Sequence, residues 1–423
     1  MSHRRLWIVR IADSSVGFAI AHWTISRLLI LASVWLIAPA LPIPDGGVAV
    51  PRDWQALVRW DSHYYLQIAT TGYEYVDDGK GYNVAFFPGL PLLIRAGMIL
   101  GLPPEVAGIL VNNLAFLGAL IVLYRWVNER HGQKVACWAV IALAWCPFSL
   151  FGTVLYSEGV FLLFTTAALA AFDRKQHAQA AVWGALASAT RLPGLTLVPA
   201  FLLVSWKERR GIPAYLCSLT AGMGTLLYSL FCGLQFNEPL AFLKVQRAWH
   251  PQDLAYGQAW LKSLVQITLG PSTWRTGKIA DPLYPIAFLA ICAIAYLIWQ
   301  FRQRLGEVRT VYSFCALGLL LWILAGAPLI NIVMVLGGAY LVWHFRQNLR
   351  PVGVSYALFN IALILSTGRT TSAERYIYAV VPVTISFGIL LNQHPRWAYP
   401  VSGFFALLLT SLAIRFSQQL WAG

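Results

Sequence analysis

Long apolar stretches follow one another along almost the whole chain. Of its 423 residues, 58% are hydrophobic and 11% are charged, whereas a soluble globular chain carries about 25% charged residues. A helix needs about 20 apolar residues to cross a bilayer. The sequence therefore predicts an all-α polytopic membrane protein, with a single membrane domain over residues 1–423, and it excludes a water-soluble enzyme or a disordered scaffold. About thirteen predicted helices lie at 16–38, 105–127, 134–152, 153–172, 178–191, 193–206, 214–234, 282–301, 309–325, 327–345, 352–367, 374–392 and 396–416.

Basic residues follow the ends of these stretches. With the N-terminus in the cytosol and the helices alternating, 17 of the 31 Lys and Arg residues fall in seven short cytosolic segments, as the positive-inside rule requires. The net charge of +14 thus indicates orientation in a membrane rather than nucleic-acid binding. The first stretch is too long for the core of a signal peptide, so a retained helix is expected. Residues 86–100 are predicted to be interfacial or re-entrant, because a full span there would reverse the later topology.

Two long loops, 39–104 and 235–281, both fall outside the membrane in this topology. Acidic residues predominate in the first part of loop 39–104, and basic residues predominate in loop 235–281. Loops of this size in a compact protein are usually functional. An acidic loop and a basic loop on one face would hold a base beside an anionic substrate.

The densest motif of the first loop surrounds Asp61. Apolar and aromatic residues recur every three or four positions from 54 to 68, which predicts an amphipathic interfacial helix. Trp60, His63 and Tyr64 are candidate substrate contacts, although aromatic residues at headgroup depth are also ordinary. A carboxylate at Asp61 costs free energy there unless it is paired or used, so Asp61 is a candidate catalytic residue.

Three further candidates each have a structural alternative. Phe87 belongs to a Pro-rich turn that would contact substrate or only fix the entry into the membrane surface. Glu158 would face the same external cavity as Asp61, or would help to cap its own helix. Arg191 lies in a Pro- and Gly-containing turn between two half-length helices, which form a tight hairpin in this interpretation. It suits a phosphate, or it forms a structural pair with Glu158 or Asp61.

The last candidates come from the second loop and the C-terminal third. Lys244, Gln246, Arg247 and Trp249 mix basic, polar and aromatic side chains, which is typical of a phosphate and sugar platform or of a solvated amphipathic helix. Arg375 and Tyr376 open a predicted helix, where Arg375 would bind anions or only snorkel to the interface. The six cysteines lie in apolar stretches without metal-ligand spacing, so we interpret them as buried apolar residues. No cofactor and no metal are expected.

Several short motifs, taken in order, resemble a known family. Trp60-Asp61, Phe86-Phe87-Pro88, Tyr156-Ser157-Glu158 and Thr190-Arg191-Leu192-Pro193-Gly194 resemble the PIG-V type family, the second mannosyltransferase of GPI-anchor assembly, and its prokaryotic relatives. Gln246 and Trp249 match a Gln-x-x-Trp-like element, and Arg375-Tyr376 resembles a late Arg-Tyr/Phe element. The resemblance covers mainly the first half of the chain.

The resemblance implies a GT-C fold with its site at the outer membrane face. It implies a polyprenyl-phosphate sugar donor, usually of mannose, and it aligns Asp61 with the catalytic position of the first external loop. Asp61 would act as general base in an inverting transfer to a lipid-linked or cell-envelope acceptor. Arg191, Arg375, Lys244 and Arg247 would bind the donor phosphate, while Glu158 would orient the acceptor or Arg191. The compact length favours a bacterial inner-membrane protein, with an endoplasmic reticulum membrane and a lumenal site as the eukaryotic equivalent.

Three other functions fit the same topology. A lipid-linked sugar flippase or transporter would place charges along a path through the bilayer, but most acidic residues here lie in external loops. A polysaccharide ligase or polymerase usually has its largest external loop late in the chain, whereas here it is the first. A non-catalytic subunit of a membrane complex is the third alternative, and an activity assay separates it from an enzyme.

Overall fold

The computed structural model describes residues 15–249 and 257–421, and within these ranges the regular secondary structure is helical, with no β-strand. The predicted all-α class is therefore confirmed. The α-helices are α1 Ser15–Ala32, α2 Ser62–Thr70, α3 Gly89–Ile99, α4 Pro104–His131, α5 Gln133–Trp145, α6 Glu158–Asp173, α7 His177–Thr190, α8 Leu197–Lys207, α9 Ile212–Thr220, α10 Met223–Phe236, α11 Ala241–Lys244, α12 Gln258–Leu269, α13 Thr273–Thr276, α14 Leu283–Gln300, α15 Arg302–Ala325, α16 Ala327–Ile332, α17 Gly338–His344, α18 Pro351–Ser366, α19 Ala373–Tyr378, α20 Val381–Gln393 and α21 Pro395–Ser417.

The apolar helices fall into two length classes. By length and composition, six described segments are able to cross a membrane: Val16–Ala40, Pro104–His131, Leu283–Gln300, Arg302–Ala325, Ala327–His344 and Pro395–Ser417. The pair α9 and α10, bent by 42°, makes a seventh if both parts cross together. The other six predicted spans are helices of 11 to 16 residues, which reach at most ~24 Å, against a hydrocarbon core of about 30 Å. The count of thirteen spans thus stays a prediction.

Helix α3, within the predicted interfacial segment, has 11 residues and is also too short to cross.

The prediction of a single amphipathic helix over residues 54–68 is wrong. Residues Trp54–Leu57 form a 3-10 turn, and α2 begins only at Ser62. Between them Trp60 has a left-handed φ of 54°. The break has a tertiary cause, because Leu57 is completely buried and its carbonyl accepts a hydrogen bond from the amide of Leu155 at 3.2 Å. This contact outweighs the helical periodicity of the sequence.

The half-length helices α7 and α8 have nearly their predicted bounds, and a 3-10 turn at Leu192–Thr196 joins them. They do not form the expected tight hairpin. Helix α7 packs on α6, α9 and α10, whereas α8 packs on α9 and α18. Both helices contact α9 but their other partners differ, so the turn between them lies against the rest of the protein rather than at the tip of a hairpin.

The core of the described part surrounds α4, α5 and α6. Helix α6 packs on α4 and α7, and α20 packs on α5. Phe116, Phe161 and Phe172 are almost wholly buried among these helices. Because lipid is as apolar as these side chains, close van der Waals packing stabilises such contacts more than transfer from water does. The packing fixes the first turn of α6, where several buried charges meet.

Candidate active site

Four charged side chains from distant parts of the chain meet at the start of α6. Glu158, the first residue of α6, forms ion pairs with Arg191 and with Nε of Arg375, the latter at 3.3 Å. Nη2 of Arg375 also reaches Oδ2 of Asp61 at 3.3 Å. The side chain of Glu158 is fully buried, and those of Arg375 and Arg191 are 8% and 10% exposed, but that of Asp61 is 32% exposed. Asp61 is thus the member of this charged cluster that a substrate reaches most easily.

The local backbone leaves the carboxylate of Asp61 available. Asp61 occupies the N-cap position of α2, yet its side chain makes no capping hydrogen bond. Its amide instead donates to the hydroxyl of Tyr156 at 3.2 Å, which ties the break before α2 to the segment before α6. Desolvation raises the pKa of the Asp61 carboxyl, while the charge of Arg375 opposes this shift. A raised pKa makes the carboxylate a better proton acceptor.

Glu158 is not held by helix capping. The N-cap residue Ser157 makes no side-chain capping hydrogen bond, so that alternative is wrong for Ser157. The Ser157 hydroxyl is instead hydrogen-bonded to the hydroxyl of Tyr65 at 2.8 Å. The Glu158 carboxylate faces the two guanidinium groups, and its charge also suits the positive end of α6.

Asn112 fixes the start of α6, and the sequence interpretation missed it. Its amide nitrogen donates to the carbonyls of Phe151 and Val154 at 2.7 and 2.8 Å, and its amide oxygen accepts from Gly159 at 2.8 Å. A Cβ atom at Gly159 would lie 2.3 Å from the Asn112 carbonyl oxygen, so only glycine fits there. The available signal was an Asn inside a long apolar stretch, where an unpaired amide is costly.

Arg191 projects from the turn after α7. The helix ends at Thr190, and Arg191 adopts an extended conformation before the 3-10 turn begins. Close contact with α3 fixes this end, because a Cβ atom at Gly89 would lie 2.4 Å from Oγ1 of Thr190. The alternative in which Arg191 pairs with Glu158 is confirmed. A role with phosphate is compatible with that pairing and remains a prediction.

Aromatic rings surround both guanidinium groups. The Arg375 guanidinium carbon lies 5.0 Å from the ring centre of Phe151 and 5.3 Å from that of Tyr156. The Arg191 guanidinium carbon lies 5.4 Å from the ring centre of Tyr376, so Tyr376 also borders the cluster. The face of an aromatic ring attracts a cation, so these rings stabilise the two charged guanidinium groups. The snorkelling alternative for Arg375 is wrong, because its side chain is buried and paired.

The predicted contacts of the first loop are spread over several surfaces. Tyr64 stacks on Phe86 with ring centres 4.7 Å apart. Burial raises the pKa of Tyr64, and the charge of Asp61 adds to this shift, so Tyr64 lies within electrostatic range of the cluster. Trp60 packs edge-on against Trp421 at 5.6 Å. His63 is exposed.

Phe87 and the second-loop candidates lie in a separate region. Phe87 packs against Tyr228 and Phe242 in a second apolar cluster. Lys244 forms ion pairs with Glu238 and, at 3.5 Å, with Asp77 of the first loop. Among the described residues, no ion pair connects Lys244 to the charged cluster.

The remaining second-loop candidates are described only in part. The backbone carbonyl of Gln246 accepts a hydrogen bond from Arg369 at 3.2 Å, and Arg247 is exposed. The side chain of Trp249 lies outside the described part of the structure. In residues 15–249 and 257–421, no three His, Cys, Asp or Glu side chains come together to hold a metal ion. The expectation of a metal-free site stays a prediction.

Residues 46–207 match the family model described as Mannosyltransferase (PIG-V). This part of the chain, called the PIG-V segment below, is thus similar to the PIG-V family. The PIG-V segment contains Asp61, Glu158 and Arg191, and Arg375 lies outside it. The predicted resemblance is therefore confirmed where three of the four clustered residues lie.

Curated relatives match a stretch of similar length. GPI alpha-1,6-mannosyltransferase 2 of Rattus norvegicus is 32% identical over 161 residues, which cover 35% of this chain and 31% of the relative. The protein of the same name from Homo sapiens is 30% identical over 155 residues, covering 34% and 30%. The match thus spans less than a third of the length of each relative.

Solved structures resemble the chain over most of its length but at low identity. An oligosaccharyltransferase of Archaeoglobus fulgidus in the apo form has 13% identity and a TM-score of 0.48, covering 96% of this chain and 56% of that one. ArnT of Cupriavidus metallidurans bound to undecaprenyl phosphate has 17% identity and a TM-score of 0.38, covering 92% and 79%. Both scores are below 0.5, so neither similarity supports an inference about this chain.

Proposed function

We propose that this protein is a GT-C type glycosyltransferase. It moves a mannosyl or other hexosyl unit from a polyprenyl-phosphate sugar to a hydroxyl group of a lipid-linked or cell-envelope acceptor. The observation that carries the proposal is the charged cluster, in which the accessible Asp61 pairs with the buried Arg375, while Glu158 pairs with both Arg375 and Arg191. Three members of the cluster lie in the PIG-V segment, and curated relatives of the chain are named as GPI mannosyltransferases.

In the proposed reaction Asp61 is the general base. The acceptor oxygen forms a bond to the anomeric carbon while the bond from that carbon to the phosphate oxygen breaks. The acceptor proton passes to the Asp61 carboxylate, and polyprenyl monophosphate leaves. One displacement inverts the anomeric centre, so one base suffices. General-base assistance of this kind contributes about 10²–10⁴-fold to the rate.

Charge balance supports a second role for Arg375. Asp61 and Glu158 carry two negative charges, and Arg191 and Arg375 carry two positive charges, so the cluster is formally neutral. When Asp61 takes up a proton, its attraction for Arg375 is lost and the cluster gains one positive charge. The leaving phosphate gains one negative charge in the same step. Arg375 is therefore freed to stabilise the phosphate when that stabilisation is needed.

In this proposal Glu158 orients the two arginines of the charged cluster. It is fully buried and paired with both of them, so it keeps Arg191 and Arg375 charged and oriented while Asp61 changes its charge. Pre-oriented cations stabilise a developing charge without reorganising during the reaction. Glu158 is thus a positioning residue rather than a second acid or base.

We place the charged cluster at the external face of a bacterial inner membrane, with the N-terminus in the cytosol. Helix α6 runs from Glu158 to Asp173 and is followed by Arg174. Helix α4 carries Asn112 beside the cluster and Arg130 in its last turn. The basic residues thus lie at the helix ends far from the cluster, which supports this orientation under the positive-inside rule.

Sugar transfer by the purified full chain tests the proposed function. The donor is polyprenyl-phosphate mannose, and the acceptors are lipids and glycans extracted from membranes. We expect transfer by the wild type and by Asp45→Asn, an exposed carboxylate of the same loop, but not by folded Asp61→Asn. Donor binding without transfer, unchanged by Asp61→Asn, would instead support a flippase or a non-catalytic subunit.

A further inference from the structure

A basic hollow opens at the end of the molecule away from the charged cluster. It lies between the last turn of α4, the start of α18 and the first turns of α20, and it is partly open to the outside. Arg130, His131 and Arg350 line it, together with Trp126, Leu349 and Pro382. Its wall contains two arginines and no carboxylate, so its chemistry favours an anion.

The acidic groups beside this basic hollow already have partners. Asp173 accepts a hydrogen bond from Nε1 of Trp126 at 3.0 Å and pairs with Nε of Arg350 at 2.9 Å. Nε of Arg130 donates to the carbonyl of Asn348 at 2.8 Å. Within the described residues, the terminal amino groups of Arg130 and Arg350 make no hydrogen bond or ion pair. Both guanidinium groups are thus anchored through Nε and keep their outer donors for a ligand, an arrangement that suits phosphate oxygens.

The position of the basic hollow indicates the kind of anion. Asn112, at the level of the charged cluster, and Arg130 are 18 residues apart on the continuous helix α4, which corresponds to ~27 Å along its axis. The hydrocarbon core of a bilayer is about 30 Å thick. The two sites therefore lie near opposite membrane surfaces, which puts the hollow at headgroup level.

From this geometry we propose that the hollow binds the phosphate headgroup of an anionic phospholipid. The Arg130 and Arg350 amino groups bind the phosphate oxygens, and Leu349 and Pro382 pack against the glycerol region. Basic pockets between membrane helices are known to bind anionic headgroups. This site differs from the proposed donor site in its residues and in its membrane surface, and the proposal does not depend on the sugar-transfer activity.

Native mass spectrometry of the full chain tests this binding directly. The purified protein is incubated with phosphatidylglycerol or phosphatidylcholine of identical acyl chains, and the bound lipids are counted. Arg130→Gln removes one charge from the hollow. Arg125→Gln is the matched control, because Arg125 is exposed on the same helix but does not line the hollow. We expect the preference for phosphatidylglycerol to fall roughly fivefold in Arg130→Gln and to persist in Arg125→Gln.

The proposal is overturned by no preference in the wild type, by an equal loss in both variants, or by displacement of phosphatidylglycerol by millimolar inorganic phosphate. The last result would assign the hollow to a soluble phosphate compound. If Arg130→Gln does not fold, the wild type still decides the question. Exposed charges are screened by salt, so a preference that does not weaken at high ionic strength would also contradict the assignment.

Discussion

The two carboxylates of the charged cluster can each be replaced by the isosteric amide. The two replacements should differ in their effect on stability, because Asp61→Asn should not lower the melting temperature whereas Glu158→Gln should. Asp61→Asn leaves Arg375 paired with Glu158, so no buried guanidinium loses its last carboxylate. The raised pKa of Asp61 has a consequence for stability. A carboxyl group with a higher pKa in the folded than in the unfolded state binds more protons when folded, so its ionised form lowers stability above that pKa. Asp61→Asn should therefore not lower the melting temperature at neutral pH.

Glu158→Gln should be much more damaging to the fold. Glu158 is fully buried, and it is the carboxylate that pairs with Arg191 among the described residues. Breaking a buried pair by neutralising one partner costs about 3–5 kcal/mol. The glutamine oxygen still accepts a hydrogen bond, so we expect the lower end, about 3 kcal/mol. That corresponds to a change in the folding equilibrium on the order of 10²-fold.

Two measurements on the same preparations separate these effects. Thermal unfolding in one detergent should give a lower melting temperature for Glu158→Gln, with Asp61→Asn and the exposed control Asp45→Asn close to the wild type. Single-turnover sugar transfer should fall by about 10²–10⁴-fold in Asp61→Asn and stay unchanged in Asp45→Asn. If Asp61→Asn melts as early as Glu158→Gln, Asp61 is a structural ion-pair partner and our assignment of the base is refuted.

Three further changes test the surroundings of the charged cluster. Arg375→Gln removes a charge that lowers the pKa of Asp61, so the acid limb of the kcat/KM profile should move to higher pH; an unmoved limb would exclude Asp61 as the titrating base. Asn112→Leu removes hydrogen bonds from three backbone groups and leaves two of them, the Phe151 carbonyl and the Gly159 amide, without partners among the described residues; each costs about 1–3 kcal/mol, so the change should lower both melting temperature and transfer rate. Gly89→Ala places a Cβ atom 2.4 Å from Oγ1 of Thr190 and should cost about 1–3 kcal/mol, part of which Thr190→Ala should restore.

Helix positions were largely predictable because hydropathy alone sets them. The described helices follow the predicted apolar stretches, with α4 at Pro104–His131 and α18 at Pro351–Ser366. What hydropathy could not show is where a helix stops for a tertiary reason. The stretch predicted over 153–172 is helical only from Glu158, because Asn112 binds the carbonyls of Phe151 and Val154 and keeps the preceding segment irregular.

The sequence could identify candidate residues by their chemical type, but it could not identify the residues with which they pair. A carboxylate within apolar sequence is costly unless it is paired or used, and this argument singled out Asp61, while the Pro- and Gly-containing turn singled out Arg191. Neither argument could show that Glu158 lies between Arg191 and Arg375, because the members of the charged cluster are separated by up to 314 positions. Only packing of α6 and α7 with the segment around α19 brings these groups together.

The structure changes the expected mechanism most in one respect, namely which basic residues stabilise the leaving phosphate. The sequence predicted that a basic second loop would face an acidic first loop, and Lys244 does pair with Asp77 across the two loops. That pair is exposed, however, and water weakens such interactions. Arg191 and Arg375 are buried beside Asp61, where a lower effective dielectric strengthens their effect on a nearby phosphate. The helix ends that carry these two arginines should therefore supply most of the stabilisation of the leaving group, while Lys244 holds the two loops against each other.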